Sequence, residues 1–214
     1  MIAEGWLADA RTSYDTVAVG YSEQTRDALA GEPYLRAALA LFAELVHAAG
    51  GGPVADVGCG PGHVTAHLHA LGVEVFGIDL SPAMVELARR EHAELRFEVG
   101  SMTELDLADG SVAGLLAFWS LIHIPDEAVP AVFGHFRRVL RPGAPLLLGF
   151  HLGDESRLKT QGYGGHPMNV YVHRRRPERV AAWLCDAGFT VEADLRLGLD
   201  GSFPGAIVFA RRGA

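Results

Sequence analysis

Cysteine is scarce in this sequence: Cys59 and Cys185 are the only two in 214 residues, and they are far apart. A disulfide framework or a zinc knuckle needs more cysteines at closer spacing, so neither is expected. Basic residues are also outnumbered, with 18 against 26 acidic residues and a formal net charge of −8. Because such a charge repels a phosphate backbone, we do not expect nucleic acid as the main partner.

Long apolar runs are missing as well. No stretch approaches the roughly 18 apolar residues that a membrane-spanning helix requires. The N-terminal segment has no basic start followed by an apolar run, so a secretory signal is not expected there. We therefore expect a cytoplasmic protein without a membrane span. Its composition, 49% hydrophobic and 21% charged, is typical of one folded domain.

Short apolar segments alternate with amphipathic segments along the middle of the chain. Ser81 followed by Pro82 marks one helix start, Asp126 is expected to cap another helix, and Gly72 marks a helix end. Strands that are apolar on both faces are typical of a parallel sheet covered by helices on both sides. The predicted strands are residues 53–57, 73–78, 95–99, 112–118 and 145–150.

The ends of the chain complete this pattern. Helices are predicted over residues 33–49 and from Pro177 to Gly188, and two strands follow, 189–196 and 206–211. The loop between these two strands is too short for a crossover helix, so the pair should be antiparallel. The chain is thus predicted as an α/β protein with a doubly wound sheet and a ligand crevice at the carboxyl ends of its strands.

Three alternate glycines follow the first strand in the sequence VADVGCGPGH. Gly58, Gly60 and Gly62 would leave the backbone open to a ligand, and the next helix would direct its N-terminal amides towards it. The spacing differs from the dinucleotide fingerprint G-x-G-x-x-G. Asp56, two residues earlier, would disfavour a pyrophosphate and favour a cationic ligand. Both features argue against a nicotinamide oxidoreductase.

An acidic residue ends the second strand. Asp79, in FGIDLSP, lies about 20 residues past the glycines, where a ribose diol is commonly held by two hydrogen bonds. Ser81 already provides the helix cap, so that role does not explain Asp79. A ribonucleoside with a positive charge and no phosphates satisfies both acidic residues, and S-adenosylmethionine is such a ligand.

The sequence VADVGCGPG followed by GIDLSPAMVELA resembles the class I S-adenosylmethionine-dependent methyltransferases, especially the small single-domain bacterial kind. The resemblance implies a seven-stranded, mostly parallel sheet whose last strand is antiparallel. It also implies that Asp79 binds the ribose, with Leu80 and Met84 on either side of the adenine. The residues that it assigns to the cofactor around the first three strands are Asp56, Gly58, Cys59, Gly60, Asp79, Leu80, Met84, Ser101 and Met102.

The fourth strand ends in AFWSLIHIP, beside the glycine loop. Trp119, Ser120 and His123 are expected to face the transferred methyl group, with His123 acting as a general base or orienting the acceptor. Nucleobase and protein amide methylases of the wider family have an Asn/Asp-Pro-Pro-Tyr run here, so WSLIH argues against a nucleobase amine. Tyr14 and Tyr21 resemble the family's N-terminal cover, where an aromatic face gains a cation–π interaction with a sulfonium. Packing of an N-terminal helix on the sheet is the alternative for both tyrosines.

The 26 residues from 151 to 176 form a long connection, which in a compact domain is usually functional. We expect either a substrate lid, with His151, Tyr163 and His166 as candidate substrate-binding residues, or a dimer contact. Its stretch MNVYVHR predicts a short extra strand. The run Arg174-Arg175-Arg176 fits either an acidic acceptor or a solvated surface.

Histidines cluster after the glycine loop at His63, His67 and His69. Only His63 and His67 share a helix face, and no carboxylate accompanies them in the sequence, so no metal site is expected.

The chain is therefore predicted as a single methyltransferase domain, 1–214. Its parts are an N-terminal cover (1–49), a cofactor-binding core (50–150), a lid (151–176) and a C-terminal helix with an antiparallel strand pair (177–214). The predicted activity is metal-free, in-line transfer of a methyl group from S-adenosylmethionine to a small molecule. The alternative is a non-catalytic regulatory protein of the same fold that binds S-adenosylmethionine and has a closed acceptor pocket. The sequence leaves the acceptor, the methylated atom and the oligomeric state open, a homodimer included.

Overall fold

The computed structural model describes residues 5–198 and 204–214. Its strands are β1 (Val54–Val57), β2 (Val75–Asp79), β3 (Arg96–Val99), β4 (Gly114–Phe118), β5 (Pro145–His151), β6 (Ser156–Gln161), β7 (Pro167–His173), β8 (Phe189–Leu197) and β9 (Gly205–Arg212). Its α-helices are α1 (Trp6–Thr25), α2 (Ala28–Gly31), α3 (Pro33–Ala48), α4 (His63–Ala70), α5 (Pro82–Glu91), α6 (Val129–Val139) and α7 (Pro177–Asp186). Short 3₁₀ helices occur at Leu121–His123 and Tyr163–Gly165.

Seven strands form one sheet in the order β3-β2-β1-β4-β5-β9-β8. β1 to β5 are parallel to one another, and β9 runs antiparallel between β5 and β8. The predicted doubly wound sheet with an antiparallel last strand is confirmed, and each predicted strand agrees with its observed bounds to within two residues. Residues 199–203 of the predicted loop before the last strand, and residues 1–4 of the predicted cover, lie outside the described residues.

Alternate residues of the buried strands supply the two faces of the sheet, because successive side chains of a strand point in opposite directions. Leu115 and Ala117 pack in a cluster with buried apolar residues of α6 and α7. Leu116 packs on the other side with Phe42 and Val46 of α3. Burial on both faces explains why these strands are apolar throughout.

Of the two predicted N-terminal helix caps, one is confirmed and the other is wrong. Ser81 caps α5 as predicted, since its Oγ accepts a hydrogen bond from the Met84 amide at 3.2 Å. The predicted cap at Asp126 is wrong, because α6 begins at Val129 after Ala128. Asp126 instead accepts a hydrogen bond from buried Arg175, and a buried guanidinium requires a counter-ion more than a helix end requires a side-chain cap.

Helix α1 and the hairpin β6–β7 together form a structure that we call the cap. Ala10 and Val17 of α1 pack against Met168 and Val170 of β7, and the Asn169 amide donates to Ser13 Oγ at 2.8 Å. The long connection therefore contains two paired strands, where the sequence predicted one.

None of the helices in the described ranges is long and apolar enough to cross a bilayer.

Candidate functional site

An open cavity, with about 710 Å³ of empty space including solvent at its mouth, lies at the carboxyl ends of β1, β2 and β4, with α1 on its outer side. This is the crevice expected of a doubly wound sheet. Most of the predicted site residues meet on its walls, from five separate stretches of the chain. They are Tyr14, Tyr21, Gly58, Gly60, Asp79, Leu80, Met84, Ser101, Met102, Trp119, Ser120 and His123.

The glycine loop and the end of β4 touch each other closely. Gly58 has a φ of +80°, and a Cβ added there would lie 2.1 Å from Ser120 Cβ. Ser120 Oγ donates a hydrogen bond to the Val57 carbonyl at 2.6 Å. A side chain at position 58 would therefore separate the two strand ends, and its absence leaves the loop backbone at the cavity surface.

Asp79 connects the glycine loop to the end of β2. Its Oδ2 accepts from the Gly60 amide at 2.7 Å, and its Oδ1 accepts from the Ser81 amide at 2.9 Å. Burial raises the pKa of this carboxyl, while the hydrogen bonds from Ser81 and Gly60 lower it. Each carboxylate oxygen has a second lone pair, so Asp79 keeps acceptor capacity towards the cavity.

Asp56 lies behind the loop rather than on the cavity wall, which corrects the expectation that it faces the ligand directly. Its carboxyl is 1% exposed and accepts a hydrogen bond from Thr65 Oγ1 at 2.6 Å. Burial raises its pKa to about 7, against the lowering effect of the Thr65 hydroxyl. Two buried carboxyl groups beside one loop favour a cation in the cavity and disfavour a pyrophosphate.

His123 is held between the core and the cap. Its Nδ1 lies 2.8 Å from the Tyr171 carbonyl of β7, and its Nε2 lies 2.7 Å from the Tyr14 hydroxyl of α1. Because a carbonyl only accepts, Nδ1 carries the proton and Nε2 accepts from Tyr14. Burial lowers the pKa of His123 to about 4 and raises the pKa of Tyr14 well above its ordinary value. Both side chains are therefore neutral near pH 7.

Trp119 turns the chain sharply at the end of β4. It is the only non-glycine residue with a positive φ, 56°, in the described part of the chain, a conformation that costs energy and often occurs at functional sites. Its indole Nε1 donates to His151 Nδ1 at 3.3 Å. A Cβ at Gly149 would lie 2.6 Å from the indole, so this glycine makes room for it.

Several predicted site residues are not among those that line the cavity. Cys59 packs beneath the loop against α5, and His151 orients Trp119 from outside the cavity. Tyr163 packs edge-on against Tyr21, with ring centroids 4.6 Å apart, and His166 is exposed. The hairpin packs on α1 and contacts His123 through the Tyr171 carbonyl.

Other wall residues were not found from the sequence: Trp6, Leu7, Ala10, Gly100, Phe118 and Ile124. The first three come from α1, and a helical repeat of Trp6, Ala10, Tyr14, Val17 and Tyr21 is visible in the sequence. The spacing of four, four, three and four residues places them on one helix face, so the periodicity was available as a signal.

The arginine run in the long connection splits into different roles. Arg175 is 1% exposed and donates to Asp126 Oδ1 at 2.9 Å and to the Leu121 carbonyl at 3.0 Å, and it also donates to the Ile124 carbonyl. Neither predicted role, an acidic acceptor or a solvated surface, applies to it. It anchors the 3₁₀ helix that carries His123.

Replacing Arg175 by Met should lower the free energy of unfolding by at least about 2 kcal/mol, because two buried carbonyls lose their donor at about 1–3 kcal/mol each. The measurement is urea unfolding, and Arg176→Gln is the matched control because that exposed arginine pairs with exposed Asp154. Equal unfolding midpoints for the two variants would contradict the anchoring role.

A family model described as "Methyltransferase domain" matches residues 54–143. A ubiquinone biosynthesis O-methyltransferase of Xanthomonas axonopodis pv. citri is 30% identical over 158 residues, which is 66% of this chain and 64% of that protein. The chain thus spans slightly less than two thirds of the length of this curated relative.

Two solved structures share the fold over the whole of this chain. The magnesium protoporphyrin IX methyltransferase of Synechocystis PCC 6803, with bound SAM, has a TM-score of 0.74 at 18% identity and is itself covered over 100% of its length. The 1,6-didemethyltoxoflavin-N1-methyltransferase of Burkholderia thailandensis, with bound 1,6-didemethyltoxoflavin and S-adenosylhomocysteine, has a TM-score of 0.71 at 24% identity and is covered over 92%.

Proposed function

We propose that this chain is a class I S-adenosylmethionine-dependent methyltransferase, as the family-model match over residues 54–143 supports, and that it transfers a methyl group from S-adenosylmethionine to a hydroxyl group of a small, largely apolar molecule. The observation that carries this proposal is the hydrogen-bonded pair Tyr14–His123 on the wall of the cavity that also exposes the glycine loop. One end of that cavity suits a cationic nucleoside, and the other has a group able to take a proton.

The residues of the cavity fit the cofactor. Asp79 would accept from the ribose hydroxyls, and the backbone of the loop from Gly58 to Gly60 would lie along the amino-acid portion. Asp56 would act from behind the loop, as a buried carboxylate attracting the ammonium. Leu80 and Met84, both on the wall, would enclose the adenine. When bound, the cofactor supplies an electrophilic methyl group on a sulfonium, which becomes a neutral thioether after transfer.

His123 would take the proton that the acceptor loses. The acceptor hydroxyl would donate to Tyr14 Oη while the Tyr14 proton passes to His123 Nε2, leaving an imidazolium whose Nδ1–H is already bonded to the Tyr171 carbonyl. A neutral imidazole at rest does not repel a sulfonium. Because the sulfonium charge disappears as the imidazolium charge forms, the total charge of the buried site stays constant, which limits the electrostatic cost of protonating a buried base.

The acceptor is proposed to be apolar or aromatic apart from its hydroxyl. Trp6, Leu7, Phe118, Trp119 and Ile124 contribute apolar surface to the cavity wall, and such surface selects apolar ligands. The curated relative is named an O-methyltransferase of ubiquinone biosynthesis, which supports a hydroxyl as the methylated group.

The proposal is tested by binding and then by turnover. Thermal unfolding should shift upward with S-adenosylmethionine and with S-adenosylhomocysteine but not with NAD, because only binding to the folded state stabilises it. A panel of small phenols, alcohols and amines is then screened for methylated product by mass spectrometry. Methylation of amines alone would overturn the assignment of a hydroxyl, and cofactor binding without any methylated product would favour the regulatory alternative.

Added Mg²⁺ should not change kcat at saturating cofactor and acceptor. Among the described residues, the cavity wall carries no group of three metal-ligating side chains, and in-line displacement from a sulfonium needs alignment rather than a Lewis acid. The rate of the EDTA-dialysed enzyme is measured with and without added Mg²⁺. Loss of rate that magnesium restores would mean that the acceptor is bound through a metal and that its ligands were missed.

A further inference from the structure

Three metal-ligating side chains meet outside the cavity, at the junction of α1, α4 and α5. His63 is the first residue of α4, and Glu91 and His92 lie at the end of α5. One ligand atom of each lies within 4.8 Å of the other two, and all three residues are half-buried. Two imidazoles and one carboxylate form a recognised ligand set for zinc, with a fourth position left for another oxygen.

The polar atoms of this cluster are poorly satisfied by the protein alone. His92 Nε2 is buried and has no hydrogen-bond partner, although such atoms in native proteins nearly always have one. His63 Nε2 has only long contacts of 3.4 Å, to the carbonyl and the Oγ of Ser22.

A side-chain oxygen of α1 lies beside His63 and Glu91. Ser22, which is 2% exposed, places its Oγ 3.4 Å from His63 Nε2 and 3.4 Å from each carboxylate oxygen of Glu91. Glu91 Oε1 is also 3.1 Å from Arg26, whose side chain is 57% exposed. Because Arg26 is largely in solvent and binds one oxygen, it leaves the other carboxylate oxygen available.

We propose that His63, Glu91 and His92 bind a zinc ion, with Ser22 Oγ or a water as the fourth ligand, and that this ion fastens α1 to the cofactor-binding core. The carboxylate that the sequence did not place near His63 comes from α5, 28 residues further along the chain. His63 directly follows Gly62 of the glycine loop, and α1 carries Tyr14 and Tyr21. The ion would therefore join the cap to the loop at a distance from the reacting atoms, and the proposal does not depend on methyl transfer.

Zinc binding is measured by calorimetry on the full chain after removal of metals. We expect one Zn²⁺ per chain and no binding of Mg²⁺, which prefers oxygen ligands. His63→Ala and His92→Ala should each weaken Zn²⁺ affinity at least about tenfold, since even changes to supporting residues cost that much at metal sites. His69→Ala is the matched control, because this exposed histidine lies on the same helix, and it should bind as the wild type does.

His92→Gln, which replaces the imidazole by a polar side chain of similar size, serves if His92→Ala fails to fold. Circular dichroism of the metal-free proteins shows whether each variant is folded. Zinc affinity equal to that of the wild type in folded His63→Ala and His92→Gln would overturn the site. Hydrogen exchange tests the fastening: amides of residues 6–25 should exchange more slowly with Zn²⁺ in the wild type and not in His63→Ala. Unchanged exchange in a zinc-loaded wild type would overturn the role assigned to the ion.

Discussion

His123→Ala is expected to lower kcat by about 10²–10⁴-fold, the usual contribution of a general base, while S-adenosylmethionine affinity changes little. The expectation rests on the position of His123 Nε2, 2.7 Å from Tyr14 Oη on the cavity wall, and on the tautomer set by the Tyr171 carbonyl. No other imidazole lines the cavity among the described residues. The measurement is steady-state kinetics with the acceptor found in the screen.

The pH profile separates a base from a structural role. Because burial lowers the pKa of His123 to about 4, the imidazole stays neutral, and therefore able to accept a proton, down to about pH 5. The contribution of His123 to the wild-type rate should thus be constant from pH 8 to about pH 5 and fall only towards pH 4. An ordinary imidazole, with a pKa of about 6.5, would already reduce the rate below pH 7.

Matched variants complete this test. His123→Asn keeps a donor for the Tyr171 carbonyl but has no proton-accepting nitrogen, so it should be as slow as His123→Ala. Tyr14→Phe removes only the hydroxyl that links the acceptor to the imidazole, and it should also lower kcat. His166→Ala, an exposed histidine of the cap, is the control with an unchanged rate. A His123→Asn enzyme with full kcat would remove His123 from the chemistry.

Asp79→Ala is expected to weaken S-adenosylmethionine binding at least tenfold. Hydrogen bonds to a charged acceptor contribute about 1.5–3 kcal/mol each, and about 1.4 kcal/mol is a factor of ten in affinity. Asp79 also accepts hydrogen bonds from the Gly60 and Ser81 amides. Its loss would make the glycine loop more mobile, which would lower the affinity further. Calorimetry measures the affinity, and circular dichroism shows whether the variant is folded.

Asp109→Ala is the control for the loss of a negative charge. Asp109 is 80% exposed and pairs with Arg138 at 2.7 Å, outside the cavity wall. Since exposed pairs contribute little, this variant should bind S-adenosylmethionine as the wild type does. Wild-type affinity in a folded Asp79→Ala protein would end the assignment of Asp79 to the ribose.

Local sequence patterns were enough for the sheet and for the glycine loop. Continuous apolar runs such as 145–150 predict strands buried on both faces, because a parallel sheet covered by helices has no wet side. The open loop backbone at Gly58 and Gly60 was predictable, because glycine has no side chain and adopts positive φ values at little cost. The position of Asp79 on the cavity wall was predictable, because this residue ends a strand beside that loop.

The cap was not predictable to the same degree, because its contacts join residues distant in the chain. Tyr14 and His123 are 109 positions apart and bond directly, and Asn169 and Ser13 are 156 positions apart. Nothing in the local composition of either segment specifies such a pairing. The sequence therefore suggested His151, Tyr163 and His166 as ligands from their residue types, whereas in the structure His151 contacts Trp119, Tyr163 packs on Tyr21 and His166 is exposed.

The sequence by itself determined the architecture of this protein and the edge of the sheet at which the cavity lies, since both follow from local periodicity, glycine positions and acidic residues next to strand ends. Only the tertiary structure decided which groups share one environment. It paired His123 with Tyr14, buried Arg175 against Asp126, and brought Glu91 and His92 to His63. The physical reason is that burial and proximity set the pKa, the tautomer and the partners of a polar side chain, and both arise only when distant segments pack together.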